Sequence, residues 1–169
     1  MRRALELDAR WSQRLRVAER PGPLRMLAIV FAHSGDSWFW FAGLVGAWYY
    51  GSEFWRLWAV RMFGAILATA LIVIVIKFSV RRQRPQGDWG SIYRSTDPHS
   101  FPSGHAARAL MLAVVCLGMG PLWLGLLLLV WAPMVALARA AMGVHYLSDV
   151  VVGALLGLFI GLLALQVIL

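Results

Sequence analysis

The sequence predicts an all-α integral membrane protein. The expected architecture is a helical bundle of about five transmembrane helices, preceded by an N-terminal amphipathic helix at the membrane interface. Hydrophobic residues make up 60% of the 169-residue chain and charged residues only 14%, with a mean hydropathy of +0.69. Soluble domains are about a quarter charged. The apolar residues also fall in long runs separated by short polar segments, and the first twenty residues are heavily charged.

The N-terminal segment predicts a helix that lies in the plane of the membrane surface. Its apolar residues recur at helical steps of four and three, at Leu7, Trp11, Leu15 and Ala18. Arginines occupy most of the remaining surface, and a basic helix with one apolar stripe is typical of interfacial binding. The alternative is a solvated helix packed on the protein. A Pro-Gly-Pro break then separates an interfacial unit, 1–23, from a transmembrane domain, 24–169.

The transmembrane domain begins with a short apolar helix, 24–33, that is interfacial or half-inserted. The predicted spans follow in order at 36–50, 57–80, 101–118, 122–139 and 147–169. Asp36 precedes the first span and is expected to cap it. The alternative is that Asp36 or His33 contacts a substrate head group.

Ionisable and polar residues cluster at the ends of these spans. Because successive spans run antiparallel, the end of span two, the start of span three, the end of span four and the start of span five all lie on one membrane face. The residues placed there are Lys77, Arg84, Ser103, Gly104, His105, Arg139, His145 and Asp149. Ionisable residues at membrane depth are functional candidates by default.

These residue types suit phosphoryl transfer. Lys77, Arg84 and Arg139 supply three positive charges for a phosphate, with arginine offering bidentate geometry. Ser103 and Gly104 stand at a helix N-terminus, where free backbone N–H groups can bind phosphate oxygens. No carboxylate cluster or Cys/His spacing indicates a metal site. The net charge of +8 favours anionic lipid head groups as partners, and nothing resembles a nucleic-acid-binding module.

The histidines are the candidate reacting groups. His145 and Asp149 are four residues apart, so on a helix the carboxylate can reach the imidazole and fix its tautomer. His145 is thus placed as a nucleophile, and His105 is left to act as the acid. The alternative for His145 and Asp149 is a helix cap with a chance ion pair.

Three motifs in order carry a family resemblance: Lys77 with six residues to Arg84-Pro85, then 102–105 as Pro-Ser-Gly-His, then Arg139 with five residues to His145 and three more to Asp149. This pattern resembles that of the type 2 phosphatidic acid phosphatase (PAP2) superfamily, in its membrane lipid phosphatase branch. One position departs from it, because the family usually has serine where this chain has Ala138.

The resemblance implies specific roles and a reaction. The phosphate of a lipid substrate would be bound by Lys77, Arg84, Ser103, Gly104 and Arg139. His145 would attack phosphorus to give a phosphohistidine, Asp149 would orient and stabilise His145, and His105 would protonate the leaving lipid oxygen. Water would then release phosphate, without a metal or other cofactor. Candidate substrates are polyprenyl diphosphates, phosphatidylglycerophosphate and phosphatidic acid. The rival hypothesis is a non-catalytic lipid-binding or lipid-transport protein on the same fold.

The expected location is a bacterial or archaeal cell membrane, and the side that the site faces follows from charge counting. Outside the phosphate site, the active-site face carries Arg2, Arg3, Arg10, Arg14, Arg16, Arg20, Arg25, Arg81, Arg82 and Arg94, whereas the opposite face carries Arg56 and Arg61. The positive-inside rule therefore favours a cytoplasmic site. A site for anionic lipids also needs basic residues nearby, so the outer face is the alternative. The loop 86–100 is expected to be solvated, with the alternative that Tyr93, Arg94 and His99 form a lid over the head group. Arg108 is a further candidate for the phosphate pocket, with a structural ion pair as its alternative.

Overall fold

A computed structural model describes residues 2–87, 89 and 97–168. Tyr93 and Arg94, two of the three lid candidates, lie outside the described residues. The described part of the chain forms seven helices: α1 Arg2–Leu15, α2 Pro23–Ser34, α3 Ser37–Tyr50, α4 Glu53–Val80, α5 Gly104–Met119, α6 Leu122–Ala141 and α7 Leu147–Ile168. The predicted all-α class is confirmed, and the apolar helices agree with the predicted runs to within a few residues at most ends.

In the described part of the chain, three helices are long and apolar enough to cross a membrane. They are Glu53–Val80, Leu122–Ala141 and Leu147–Val167. The 14 residues of α3 and the 16 of α5 would extend about 21 Å and 24 Å at about 1.5 Å per residue. Both fall short of the roughly 30 Å of hydrocarbon in a bilayer. These two helices therefore depend on their neighbours to cover their ends.

Helix α5 is the centre of the bundle. Most of its residues from Ala106 to Cys116 are buried, and it packs against α4, α6 and α7. The lipid-facing sides of α4, α6 and α7 keep large apolar side chains exposed, as expected where hydrocarbon replaces water around the protein. A short, small-residue helix at the centre lets three longer helices close around it.

Close packing of α7 on α5 depends on a ridge of glycines. A Cβ added at Gly153 would lie 2.5 Å from the carbonyl oxygen of Ser103, and one at Gly157 would overlap the carbonyl oxygen of Ala107. Gly161 meets Val114 in the same way. Gly43 and Gly46 on α3 have no such role, because nothing lies within 4 Å of a Cβ at either position. Small residues let helices approach only where a neighbouring helix is present.

Helix α1 lies on the same face of the bundle as the starts of α5 and α7. Two of its polar residues turn toward the protein: the Ser12 hydroxyl accepts a hydrogen bond from the Leu147 N–H (2.8 Å), and the Asp8 carboxylate accepts one from the Ser148 N–H (3.0 Å). Leu7 and Trp11 stay about half exposed on the opposite side of α1. The helix ends at Leu15, although the apolar stripe of the sequence continues to Ala18. Leu7 and Trp11 are thus free to face a membrane surface, whereas Leu15 and Ala18 pack against the bundle.

Candidate active site

A cavity of about 380 Å³ opens where α4 and α6 end and α5 and α7 begin. It is lined by Lys77, Arg84, Gly104, His105, Arg139 and His145. Its apolar wall comes from α4, through Ile66, Ala70, Val73, Ile74 and Phe78. Six of the eight residues that helix parity places on one membrane face therefore line a single cavity.

The cationic side of the cavity contains a carboxylate that the sequence did not single out. Asp97 Oδ2 lies 2.5 Å from Lys77 Nζ and 2.7 Å from Arg84 Nη2, so one oxygen accepts from both cations. Burial acts to raise the pKa of Asp97, but the hydrogen bond and charge of Lys77, with the charge of Arg84, lower that pKa by more. Asp97 is therefore ionised at neutral pH and neutralises part of the cationic cluster.

His145 is buried and aimed at that cluster. Arg84 Nη1 donates to His145 Nε2 at 3.2 Å. Because a guanidinium can only donate, Nε2 is the acceptor and the imidazole proton lies on Nδ1. Burial first, and then the charges of Arg84 and Arg139, hold the pKa of His145 well below its ordinary value. The ring is therefore neutral, with the lone pair of Nε2 directed toward the cations.

Asp149 stands behind His145 and outside the cavity lining. Its Oδ2 lies 3.7 Å from His145 Nδ1, which is an ion-pair distance and longer than a hydrogen bond. Oδ2 accepts from the Tyr146 N–H at 2.9 Å, and Oδ1 accepts from Arg82 Nη1 at 2.7 Å. The other guanidinium nitrogen of Arg82 donates to Asp8 on α1 at 2.7 Å. Helix α1 is thus joined, through Arg82, to the carboxylate behind the candidate nucleophile.

His105 lies at the start of α5 and contacts a second carboxylate. Its Nε2 lies 2.7 Å from Oδ1 of Asp36, in the connection between α2 and α3. The side chain of Asp36 makes no cap hydrogen bond to α3, so the expected capping role is wrong although the residue occupies the N-cap position. The carboxylate instead binds the two histidines, His33 and His105.

The remaining candidates have different placements. Ser103 is fully buried, and its hydroxyl accepts from the Ala106 N–H at 3.5 Å as the N-cap of α5, outside the cavity lining. Arg108 lines the cavity and donates to the carbonyl oxygen of Gly35. Ala138 packs in an apolar cluster with α2 and is absent from the cavity lining. The ring of His99 lies against Phe78, and the backbone carbonyl oxygen of His99 accepts a hydrogen bond from Lys77 Nζ.

Three residues that take part in carboxylate contacts at the site were missed or misplaced by the sequence analysis: Asp97, Arg82 and Asp36. Asp97 belongs to a polar loop, and Arg82 to a run of arginines with no feature to distinguish it. Only the position of Asp36 between two apolar helices drew attention to it. In the described part of the chain, no three His, Cys, Asp or Glu side chains come together as metal ligands would.

A bundle of apolar helices with a cation-lined cavity at one end, and a neutral histidine facing the cations, defines an integral membrane protein with a site for an anionic group. The chain belongs to the PAP2 superfamily, whose family model matches residues 58–169. The resemblance carried by the three motifs is therefore confirmed.

Two curated relatives match about two thirds of the chain. The decaprenylphosphoryl-5-phosphoribose phosphatase of Mycobacterium tuberculosis is 41% identical over 107 residues, which are 63% of this chain and 58% of that protein. The undecaprenyl-diphosphatase of Sulfolobus acidocaldarius is 31% identical over 116 residues, which are 63% of this chain and 56% of that protein. The matched region spans less than two thirds of the length of either relative.

Two solved structures share the fold over nearly the whole chain. The transmembrane PAP2-type phosphatidylglycerolphosphate phosphatase from Bacillus subtilis superposes with a TM-score of 0.80 at 22% identity, over 99% of this chain and 87% of that one. Aquifex aeolicus LpxE gives a TM-score of 0.69 at 26% identity, over 91% and 93%. The likeness to the Bacillus protein concerns the fold alone.

Proposed function

We propose that this protein is a lipid phosphate phosphatase that acts through a phosphohistidine on His145. One observation carries the proposal: Arg84 donates to Nε2 of a buried neutral His145 inside a cavity that Lys77 and Arg139 also line. A phosphate bound by these cations would meet the lone pair of Nε2. A buried imidazole that is held neutral among cations is suited to attack an anion that the same cations neutralise.

The reaction divides into two displacements. In the first, Lys77, Arg84 and Arg139 bind the phosphate oxygens together with the N–H groups at the start of α5 around Gly104, where Ser103 caps the helix. His145 Nε2 attacks phosphorus and the bond from phosphorus to the lipid oxygen breaks. That oxygen takes the bond's electron pair and a proton from His105. Asp149 offsets the positive charge that develops on the His145 ring.

The second displacement restores the enzyme. A water molecule gives a proton to His105 and attacks the phosphohistidine phosphorus. The bond from phosphorus to Nε2 breaks, its electron pair returns to His145, and inorganic phosphate leaves. Each turnover uses one water and consumes no other proton source, because His105 gives one proton and regains one. The chain's own cations supply the charge neutralisation.

We propose a polyprenyl-linked phosphate as the substrate class, either a polyprenyl-phosphoryl sugar phosphate or a polyprenyl diphosphate. Two features support it. The apolar wall that α4 gives the cavity suits a hydrocarbon chain beside the phosphate. The curated relatives are, by name, phosphatases of decaprenyl- and undecaprenyl-linked compounds. Phosphatidylglycerophosphate and phosphatidic acid are the competing substrates.

We also propose a division of the chain into two units and an orientation in the membrane. Residues 1–23 form the interfacial unit and 24–169 the catalytic domain, with the site facing the cytoplasm. The support is the cluster of arginines on the α1 side of the bundle, to which α1 is bound through Asp8 and Ser12. An N-terminal reporter that works only in the cytoplasm is expected to be active, and an externally accessible N-terminus would contradict the orientation.

The reaction is tested with purified protein in detergent. Phosphate release is measured in EDTA across polyprenyl phosphates and diphosphates, phosphatidylglycerophosphate and phosphatidic acid, with and without orthovanadate. We expect metal-independent release, fastest on a polyprenyl substrate, with inhibition by vanadate. His145→Ala is expected to abolish turnover, whereas Glu53→Gln, which removes an exposed carboxylate in the first turn of α4, serves as the control. Full activity in His145→Ala contradicts the mechanism. Lipid binding without release by the wild type would favour the non-catalytic rival.

A further inference from the structure

The connection between α2 and α3 brings two histidines onto one carboxylate. Asp36 Oδ1 lies 2.7 Å from His105 Nε2, and Asp36 Oδ2 lies 3.0 Å from His33 Nδ1. His33 is nearly half exposed, whereas His105 lines the cavity. The contact between Asp36 and His105 joins residues 69 positions apart, so it depends on how α2 and α3 pack on α5.

The turn that carries Asp36 is fixed by its neighbours at several points. The carbonyl oxygen of Ser34 accepts from Trp40 Nε1 (3.2 Å), and its hydroxyl accepts from Trp131 Nε1 (2.9 Å). The carbonyl oxygen of Gly35 accepts from Arg108 Nε (3.0 Å). These contacts come from α3, α6 and α5, so the turn has little freedom to move away from the cavity.

Gly35 shows how closely the turn approaches the histidine. A Cβ at this position would lie 2.9 Å from Val135 Cγ1 and 3.2 Å from the Cδ2 carbon of His105. Such distances are shorter than ordinary van der Waals contacts, so only glycine fits without a shift. The backbone at Gly35, immediately before Asp36, therefore packs directly against the His105 ring.

We propose that Asp36 is a positioning residue that holds His105 in place and stabilises its protonated form for transfer of a proton to the leaving oxygen. This inference rests on the proposed function. An ionised carboxylate only accepts hydrogen bonds, so Nε2–H of His105 donates to Asp36, and Nδ1 is the nitrogen left to give and regain the proton. A carboxylate partner orients the ring and favours the imidazolium.

The charges around His105 explain why a counter-charge is needed there. Arg108 on α5 and Arg139 on α6 both act on the ring electrostatically and disfavour a further positive charge. Asp36, from the α2–α3 connection, is the carboxylate that faces it, and His33 on α2 binds the other carboxylate oxygen. Without Asp36, protonated His105 would lie among cations, with no other carboxylate from the described part of the chain bonded to it. The ring would then spend less time in the form that can donate a proton.

The test uses the dependence of the rate on the leaving group. An alkyl phosphate lipid releases a strongly basic alkoxide and needs a proton donor, whereas p-nitrophenyl phosphate releases a stabilised phenolate and does not. General-acid catalysis contributes typically about 10²- to 10⁴-fold, and Asp36 acts by positioning the acid. We therefore expect Asp36→Asn to lower kcat on the alkyl substrate about 10- to 100-fold, with KM and the p-nitrophenyl phosphate rate within about threefold of wild type.

Two comparisons separate positioning from a general structural defect. The ratio of the two rates is measured on one preparation, so a misfolded fraction lowers both rates and cancels. Glu53→Gln, which removes an exposed carboxylate in the first turn of α4, is the matched control and is expected to keep the wild-type ratio. His105→Ala should show the same selective loss, and adding Asp36→Asn to it should change the ratio no further.

The outcomes are distinct. Equal loss on both substrates, or no loss on either, in Asp36→Asn overturns the positioning role. An additive loss in the double variant also overturns it, because Asp36 would then act independently of His105. A wild-type protein that releases no phosphate from any lipid refutes the proposed function, a different result from an active wild type whose Asp36→Asn variant is unchanged.

Discussion

Replacement of Asp97 by asparagine is expected to tighten binding of phosphate and of its analogues. The Asp97 carboxylate accepts from Lys77 (2.5 Å) and Arg84 (2.7 Å), two of the cations proposed to bind substrate phosphate. A phosphate that enters must displace it. Asparagine keeps the size of the side chain and removes the charge that competes with the ligand.

The magnitude follows from the contacts that phosphate must replace. Hydrogen bonds to charged groups contribute about 1.5–3 kcal/mol each. The Asp97 side chain is 43% exposed, so solvent screens these contacts and reduces their worth. If displacing the Asp97 carboxylate costs the ligand about 1–2 kcal/mol of binding free energy, its removal in Asp97→Asn lowers the inhibition constant roughly 5- to 30-fold.

The assay is inhibition of lipid phosphate hydrolysis by orthovanadate and by inorganic phosphate, measured for wild type, Asp97→Asn and the exposed control Glu53→Gln. We expect a lower inhibition constant in Asp97→Asn alone. The opposite result, weaker inhibition in Asp97→Asn, would show that the carboxylate holds Lys77 and Arg84 in a binding geometry and does not compete with the ligand. An unchanged constant would also refute the reasoning.

Three further predictions follow from the packing and the electrostatics. Arg82→Met leaves Asp149 without its guanidinium partner, so we expect kcat to fall about 10-fold or more with little change in KM, at a stability cost of about 3 kcal/mol; a change confined to KM would contradict this. Gly157→Ala places a methyl group against the backbone of α5 and should lower the thermal midpoint in detergent by several degrees. Gly43→Ala, whose added Cβ has no neighbour within 4 Å, should not lower it, and equal midpoints for the two variants would contradict the packing argument. Because the pKa of His145 lies well below that of the unfolded chain, about 6.5, the unfolded state binds the extra proton and stability falls as the pH drops through that value. The midpoint of His145→Asn should therefore fall less than that of wild type between pH 7.5 and pH 5.5, and parallel curves would contradict the shift.

The helices were predictable because each depends on the composition of one segment. A bilayer requires every backbone polar group to be satisfied within the span, so long apolar runs such as 57–80 and 122–139 become helices. Errors occurred where composition does not decide. The amphipathic pattern of α1 continues to Ala18, but the helix ends at Leu15, and Ala18 packs elsewhere, its N–H donating to the carbonyl oxygen of Ala141.

The contents of the cavity were predictable for a topological reason. Antiparallel spans place alternate ends on one membrane face, so Lys77, Arg84, His105, Arg139 and His145 had to meet once the spans were known. The same reasoning did not predict which groups the carboxylates contact. The local sequence around Asp36 predicts a helix cap. The side chain contacts His105 instead, because Trp131 and Arg108 donate hydrogen bonds to the turn that carries Asp36.

The sequence by itself determined the helices, their order and the face on which the cationic and histidine residues gather, because hydropathy and antiparallel alternation act segment by segment. Only the tertiary structure decided which charged groups each carboxylate contacts. Asp36 contacts His105, Asp97 contacts Lys77 and Arg84, and both Asp8 and Asp149 contact Arg82. The physical reason is that such pairings depend on the rotation of each helix about its axis and on the path of the loops. Neither is encoded in the periodicity of any one segment.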